Sequence, residues 1–188
     1  MKDKPVVALG VTGGIAAYKA AELCRLLKRR GYEVRVVMTE NACRFVTPLT
    51  FRTLSQYPVM TSLWETPEWR PEHVALADEA ALLVIAPCTA NCLGKLAGGI
   101  ADDALSTLGL TFGGPVVVAP AMNPGMWRNP AVQQNVEVLK SRGVRFVGPA
   151  DGDVACGAAG TGRMAEPEEI ASAVIGILEE NGANGRTI

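Results

Sequence analysis

The chain has 188 residues, 48% of them apolar, and 18 Lys and Arg stand against 19 Asp and Glu for a formal net charge of −1. That length suits one domain with a sizeable core, and the even charge balance lacks the basic footprint of a nucleic-acid binder, so a small ligand is expected. The first apolar run is interrupted by glycine and followed by a helix pattern, which fits neither a signal peptide nor a membrane span, and a cytoplasmic address is expected.

In chain order, VVALGV (6–11) reads as a buried strand and IAAYKAAELCRLLKRR (15–30) as an amphipathic helix stopped by Gly31. EVRVVMT (33–39) is a second strand. From Asn41 to Arg70 the pattern is irregular: short helical pieces lead into the Trp- and Pro-containing loop LWETPEWRPEH, and loops of this length often carry function. ALLVIAP (81–87) is a third strand, followed by a helical stretch from Ala90 and another around Ala104 to Leu110. PVVVAPA (115–121) is a fourth strand, 130–143 a helix and VRFVGP (144–149) a fifth strand. A glycine-rich loop (151–163) precedes the last helix (167–180), and NGANGRTI (181–188) reads as a tail or the start of a linker. Apolar strands alternating with helices predict an α/β three-layer sandwich, with a parallel sheet covered on both faces and the ligand at the strands' carboxyl ends.

Several motifs fall at those ends. Gly10, Gly13 and Gly14 follow the first strand and open the first helix, where free backbone N–H groups and the helix dipole favour a phosphate. The spacing G-x-x-G-G differs from the dinucleotide G-x-G-x-x-G, and the second strand ends in Thr39, with Glu40 only after it, so a mononucleotide fits better than a dinucleotide; a plain strand-to-helix turn is the bland alternative. In PCTAN (87–91), Thr89 and Asn91 are either ligand groups or a helix cap, and Asp102 and Asp103 read most simply as a cap of the next helix. The basic run Arg25, Lys28, Arg29 and Arg30 reads as a solvated helix face.

Five cysteines without C-x-x-C spacing and a single histidine, His73, argue against a disulfide framework or a zinc site. His73 is either an ordinary surface or core residue or a catalyst placed after the long loop. Cys24 and Cys43 sit on apolar patterns that suit a core, whereas Cys156 lies in the glycine-rich ACGAAGTGRM, where packing does not explain a thiol. PAMNPGMW (120–127) places a lone carboxamide, Asn123, among Met122, Met126 and Trp127 just after a strand, with no formal charge in the segment.

Taken together and in order, GVTGGIAAYKA, HVALAD from His73, PCTANCLGKLAGGIADDALST, PAMNPGMW and ACGAAGTGRM resemble the flavin-dependent cysteine decarboxylases over nearly the whole chain. The resemblance implies a Rossmann-like or flavodoxin-like single domain (1–180) and bound FMN held by Gly13, Gly14, Ile15, Thr39, Phe45, Pro87, Thr89, Asn91 and Asp102. It implies catalytic roles for His73, Asn123 and Cys156, and substrate contacts from Asn123, Met126, Ala155, Gly157, Arg163 and Met164. It also implies homotrimers, in some members four of them joined into a dodecamer, with active sites shared between subunits, and a synthetase either fused or separate.

The implied chemistry is oxidation of the thiol-bearing carbon of 4′-phosphopantothenoylcysteine by the flavin. CO2 is then lost into a thioaldehyde that spreads the charge onto sulfur, and the enethiolate is reduced to 4′-phosphopantetheine, a step in coenzyme A biosynthesis. His73 would assist the oxidation as base or positioner. Asn123 would orient the carboxylate without the ground-state grip of an arginine, and Cys156 would deliver a proton during reduction. Peptidyl-cysteine decarboxylases, which stop at the enethiol, and non-catalytic regulatory subunits are the rival readings.

Overall fold

The computed structural model describes residues 5–64, 72–153 and 159–183. Chain order is β1 (Val6–Val11), α1 (Ala17–Arg29), β2 (Glu33–Met38), a 3₁₀ turn (Ala42–Arg44), α2 (Pro48–Ser55), β3 (Val59–Met60), α3 (Glu72–Glu79), β4 (Ala80–Cys88), α4 (Ala90–Gly98), α5 (Ala104–Thr111), β5 (Val116–Pro120), α6 (Pro124–Trp127), α7 (Pro130–Ser141), β6 (Arg145–Phe146), β7 (Ala150–Asp153), β8 (Ala159–Arg163) and α8 (Pro167–Ala183).

Strands β1 and β4 are buried along their whole length, as expected for central strands of a sheet covered on both faces. Their side chains sort by the two-residue period of a strand. Val7, Leu9, Val11, Leu82, Val84 and Ala86 join the cluster that includes the buried faces of α1, α2 and α8. Val6, Ala8, Leu83 and Ile85 join the cluster of α4, α5 and α7. Helix α1 contributes Ala17, Ala20, Leu23, Cys24 and Leu27, an i, i+3, i+4 stripe that lies flat on the sheet. These clusters are the two interfaces of the predicted three-layer sandwich. At roughly 1.5–3 kcal/mol for each fully buried large apolar side chain, they and not helix propensity fix the layers.

The main sheet has six parallel strands in the order β3-β2-β1-β4-β5-β6. An antiparallel hairpin, β7–β8, stands apart from it. Several elements depart from the sequence expectation. The irregular region contains a two-residue edge strand, β3, paired with Val36 and Val37, too short to show a period. The fifth strand shrinks from 144–149 to Arg145–Phe146, because Gly148 has φ 77° and Pro149 follows it, which ends the ladder. The expected glycine-rich loop is instead the hairpin, paired from Ala150↔Arg163 to Asp153↔Ala159, and residues 154–158 lie outside the described residues. Helix α8 runs to Ala183, three residues past the expected end. Most of the Trp- and Pro-containing loop, from 65 to 71, and the tail from 184 lie outside the described residues.

Candidate functional site at the carboxyl edge of the sheet

The strand order turns back between β1 and β4, and the connections that leave these two strands part to opposite layers. Such a switch point opens a crevice, and here it holds a cavity of about 820 Å³. The two connections are tied by Thr12, which is 2% exposed. Its Oγ1 donates to the Pro87 carbonyl at 2.7 Å and accepts the Thr89 N–H at 3.1 Å. The motif pattern does not reveal this residue, because its two partners lie 75 and 77 positions away. Thr12→Val keeps the shape but leaves both partners unsatisfied. It is expected to cost about 1–3 kcal/mol in urea unfolding, with Thr12→Ser restoring most of the loss; a Val variant as stable as the parent would contradict the strut.

On the β1 side, Gly13, Gly14, Ile15 and Ala16 line the cavity. A Cβ on Gly13 would collide with the Asn41 side chain and come within 2.9 Å of its carbonyl carbon. The glycine therefore lets the segment after β2 close against the start of α1. Thr39 Oγ1 accepts the Ala42 N–H at 3.2 Å, which leaves its hydroxyl proton available to a ligand. Helices α1 and α2 begin without a side-chain cap, unlike α4, α5, α6 and α7, and of the two it is α1 whose start lines the cavity. The uncapped turn and its dipole fit an anionic group in the cavity.

The β4 side is built by α4 and α5. Thr89 Oγ1 caps α4 by accepting the Cys92 N–H at 3.4 Å, and Asn91 lines the cavity beside it. The two carboxylates expected to cap the next helix divide their roles. Asp103 forms a reciprocal capping box with Ser106, at 2.8 and 3.2 Å. Asp102 does not cap but remains on the cavity wall. Lys95 lies 2.6 Å from an oxygen of each. Burial pushes the Asp103 carboxyl up, but the Lys95 ammonium and the Ser106 N–H outweigh it and hold the group below its usual range. Burial disfavours the Lys95 charge, yet the two carboxylates keep that ammonium above its ordinary value. In the sequence alone Lys95 does not stand out, since GKLAGG reads as an ordinary helix end.

The third wall joins segments far apart in sequence. Asn123 lines the cavity and its Oδ1 caps α6 by accepting the Gly125 N–H at 2.7 Å. The turn-forming role and the ligand-facing position therefore coexist in one side chain. With the oxygen engaged by the cap, the amide's NH2 is the group suited to a carboxylate. The Met122 N–H donates to the Gly162 carbonyl at 2.9 Å, which fastens β8 to this segment. Met122, Met126, Arg163 and Met164 line the cavity with Asn123. Trp127 does not: it packs against the cluster of α4, α5 and α7, so it supports the wall and does not shield the ligand.

Of the expected cofactor residues, Gly13, Gly14, Ile15, Thr39, Thr89, Asn91 and Asp102 converge on the cavity. Pro87 does not line it; it is buried at the end of β4 and reaches the site through Thr12. Phe45, 50% exposed, follows the 3₁₀ turn outside the lining. His73 lies half-buried on α3 and is not among the lining residues of the cavity. Ala155, Cys156 and Gly157 lie outside the described residues.

A family model described as Flavoprotein matches residues 1–179. The chain is 50% identical over 167 residues to the coenzyme A biosynthesis bifunctional protein CoaBC of Bacillus subtilis (strain 168), covering 87% of this chain and 41% of that protein. It therefore spans less than half the length of that relative. A serine variant of a PPC decarboxylase complexed with pantothenoylaminoethenethiol superposes with a TM-score of 0.84 at 34% identity, over 94% of this chain and 100% of the other. The FMN-binding protein AtHal3 superposes with a TM-score of 0.82 at 34% identity, over 95% of this chain and 98% of the other.

Proposed function

The chain belongs to the flavoprotein family, and on that premise we propose that it is an FMN-dependent decarboxylase of 4′-phosphopantothenoylcysteine. The observation that carries the reading is the convergence in one cavity of the uncapped start of α1, Thr39, Thr89, Asn91 and the Asn123 carboxamide. A mononucleotide phosphate suits the α1 turn, and Asn123 lines the same cavity. When bound, FMN supplies a reversible two-electron acceptor for the thiol-bearing carbon.

The protein's own residues orient and exclude. Asn123 positions the substrate carboxylate, and its neutral amide does not deepen the ground state as a cation would, because the charge passes from the carboxylate to the neighbouring carbon as neutral CO2 departs. Met122 and Met126 present apolar surface beside it. Cys156 delivers a proton to the unsaturated carbon in the reductive half, and His73 acts on the substrate thiol. The position of His73 outside its own cavity supports a trimer in which a neighbouring subunit completes each site. The exposed Ile15, Tyr18 and Met126 that line the opening support it too. The Bacillus subtilis relative is bifunctional and more than twice as long as the matched region, which supports a synthetase partner, fused or separate, for this domain.

The direct test is incubation with 4′-phosphopantothenoylcysteine and mass spectrometry of the products. Loss of CO2 without net oxidation supports the reading. Loss of CO2 with accumulation of the unsaturated thiol favours a peptidyl-cysteine-type enzyme, and a flavin-loaded protein without turnover favours a regulatory one. Within this scheme Cys156→Ser is expected to release CO2 and stall at the unsaturated thiol, with 4′-phosphopantetheine formation falling at least about 100-fold. Undiminished phosphopantetheine formation by that variant would remove Cys156 from the mechanism.

A further inference from the structure

Charge is distributed unevenly around the cavity. On the α4–α5 wall, Lys95 sits between two carboxylates, Asp102 and Asp103, at 2.6 Å from each. Elsewhere in the lining, two cations share one carboxylate. Lys19 of α1 donates to both oxygens of Glu166, at 3.0 and 2.9 Å, and Arg163 at the end of β8 donates from Nη2 to Glu166 Oε1 at 2.7 Å. One cluster therefore carries a formal charge of −1 and the other +1. Lys19 and Arg163 both line the cavity, whereas Glu166 is not among its lining residues. The carboxylate holds the two cations from behind without covering them. Lys19 and, to a lesser degree, Arg163 keep its carboxyl below the usual range.

The donors are not used up. An ammonium has three N–H groups and a guanidinium five. Among the described residues, Glu166 takes two from Lys19 and one from Arg163. The Lys19 side chain is 17% exposed, so its remaining donor lies in a partly desolvated place where an anion gains more than at the surface. The cavity, about 820 Å³, falls near the upper end of the range for small-molecule sites, with room for a second ligand beside a mononucleotide. The uncapped α1 turn already suits the mononucleotide's phosphate.

We infer that Lys19 and Arg163, held by Glu166, form a phosphomonoester subsite that selects the phosphorylated substrate over its dephosphorylated counterpart. This deepens the decarboxylase reading and rests on it for the identity of the substrate. The subsite acts on binding and not on the bond that breaks, so its loss belongs in Kd and KM and not in kcat.

The test titrates the flavin-loaded protein with 4′-phosphopantetheine and with pantetheine by calorimetry, and measures turnover of 4′-phosphopantothenoylcysteine and pantothenoylcysteine. The parent should prefer each phosphorylated compound. Lys19→Gln and Arg163→Gln should each lower that preference about 10- to 100-fold, and Arg163→Lys should recover part of it. Flavin content, read from visible absorbance, should not change. Should Lys19→Gln fail to fold, Arg163→Gln and its Lys counterpart carry the same comparison.

A parent without phosphate preference, or a Lys19→Gln variant that retains it fully, overturns the subsite. Variants that fold but lose flavin overturn it too, because the cations then hold the cofactor's phosphate. A phosphate preference that the variants lose, in a parent that does not decarboxylate, sustains the subsite while refuting the reaction.

Discussion

Replacing Asn123 by aspartate is expected to lower decarboxylation about 1,000-fold and to leave the protein folded. On the proposed function, that substitution separates the observed cap of α6 from the hold on the substrate. Its Oδ1 accepts the Gly125 N–H at 2.7 Å, and a carboxylate oxygen accepts the same bond, so the start of α6 is preserved. What disappears is the NH2 donor, and a negative charge takes its place against the substrate's own carboxylate. Losing a positioned donor at a reacting centre costs about 10²–10³-fold, and like-charge repulsion in a site lined by Met122 and Met126 adds to it. Asn123→Ala removes donor and cap together, so it should lose both activity and some stability. CO2 release by mass spectrometry together with the melting temperature distinguishes the two variants. An aspartate variant that decarboxylates within tenfold of the parent would show that the carboxamide does not meet the carboxylate.

The sheet was legible where the chain repeats one environment. In β1 and β4 both faces are buried, and an unbroken apolar run is what a strand covered on both sides requires. The glycine turn was legible because three glycines at a strand-to-helix junction have a backbone purpose, and the structure supplies it at Gly13 through the approach of Asn41. Elements held by backbone pairing alone left no apolar signature. The β7–β8 hairpin consists of ADGD and AGTGR, which read as a loop, and β3 has two residues. Site residues that work through distant partners were equally silent. Thr12 has meaning only beside Pro87 and Thr89, and Lys95 only beside Asp102 and Asp103. Lys19 likewise gains its meaning only beside Glu166 and Arg163, which arrive from the other end of the chain. Pro87 and Phe45 show the converse: a motif can carry a residue into an expected binding set although it stands outside the lining of the cavity.

The second large effect is expected at Gly162, which sits where the hairpin meets the Asn123 segment. Its carbonyl accepts the Met122 N–H at 2.9 Å. A Cβ there would run into the Met122 carbonyl oxygen and come within 3.2 Å of the Pro124 nitrogen and 3.4 Å of the Asn123 carbonyl carbon. All three obstacles are backbone, so no side-chain rotation relieves them, and β8 must back away from residues 122–124. Overpacking of this kind costs about 1–3 kcal/mol. The larger consequence is geometric, because Asn123, Arg163 and Met164 line one cavity from the two sides of this junction. A displacement of about 1 Å at a reacting centre lowers turnover by about 10²-fold. Gly162→Ala should therefore melt a few degrees lower, retain its flavin through the α1 turn, which its Cβ does not meet, and lose about 100-fold in kcat. Steady-state decarboxylation and the visible spectrum of the purified variant measure both halves of that expectation. A variant with parental kcat would mean that the contact between β8 and the Asn123 segment fixes the fold locally without setting the geometry of the reaction.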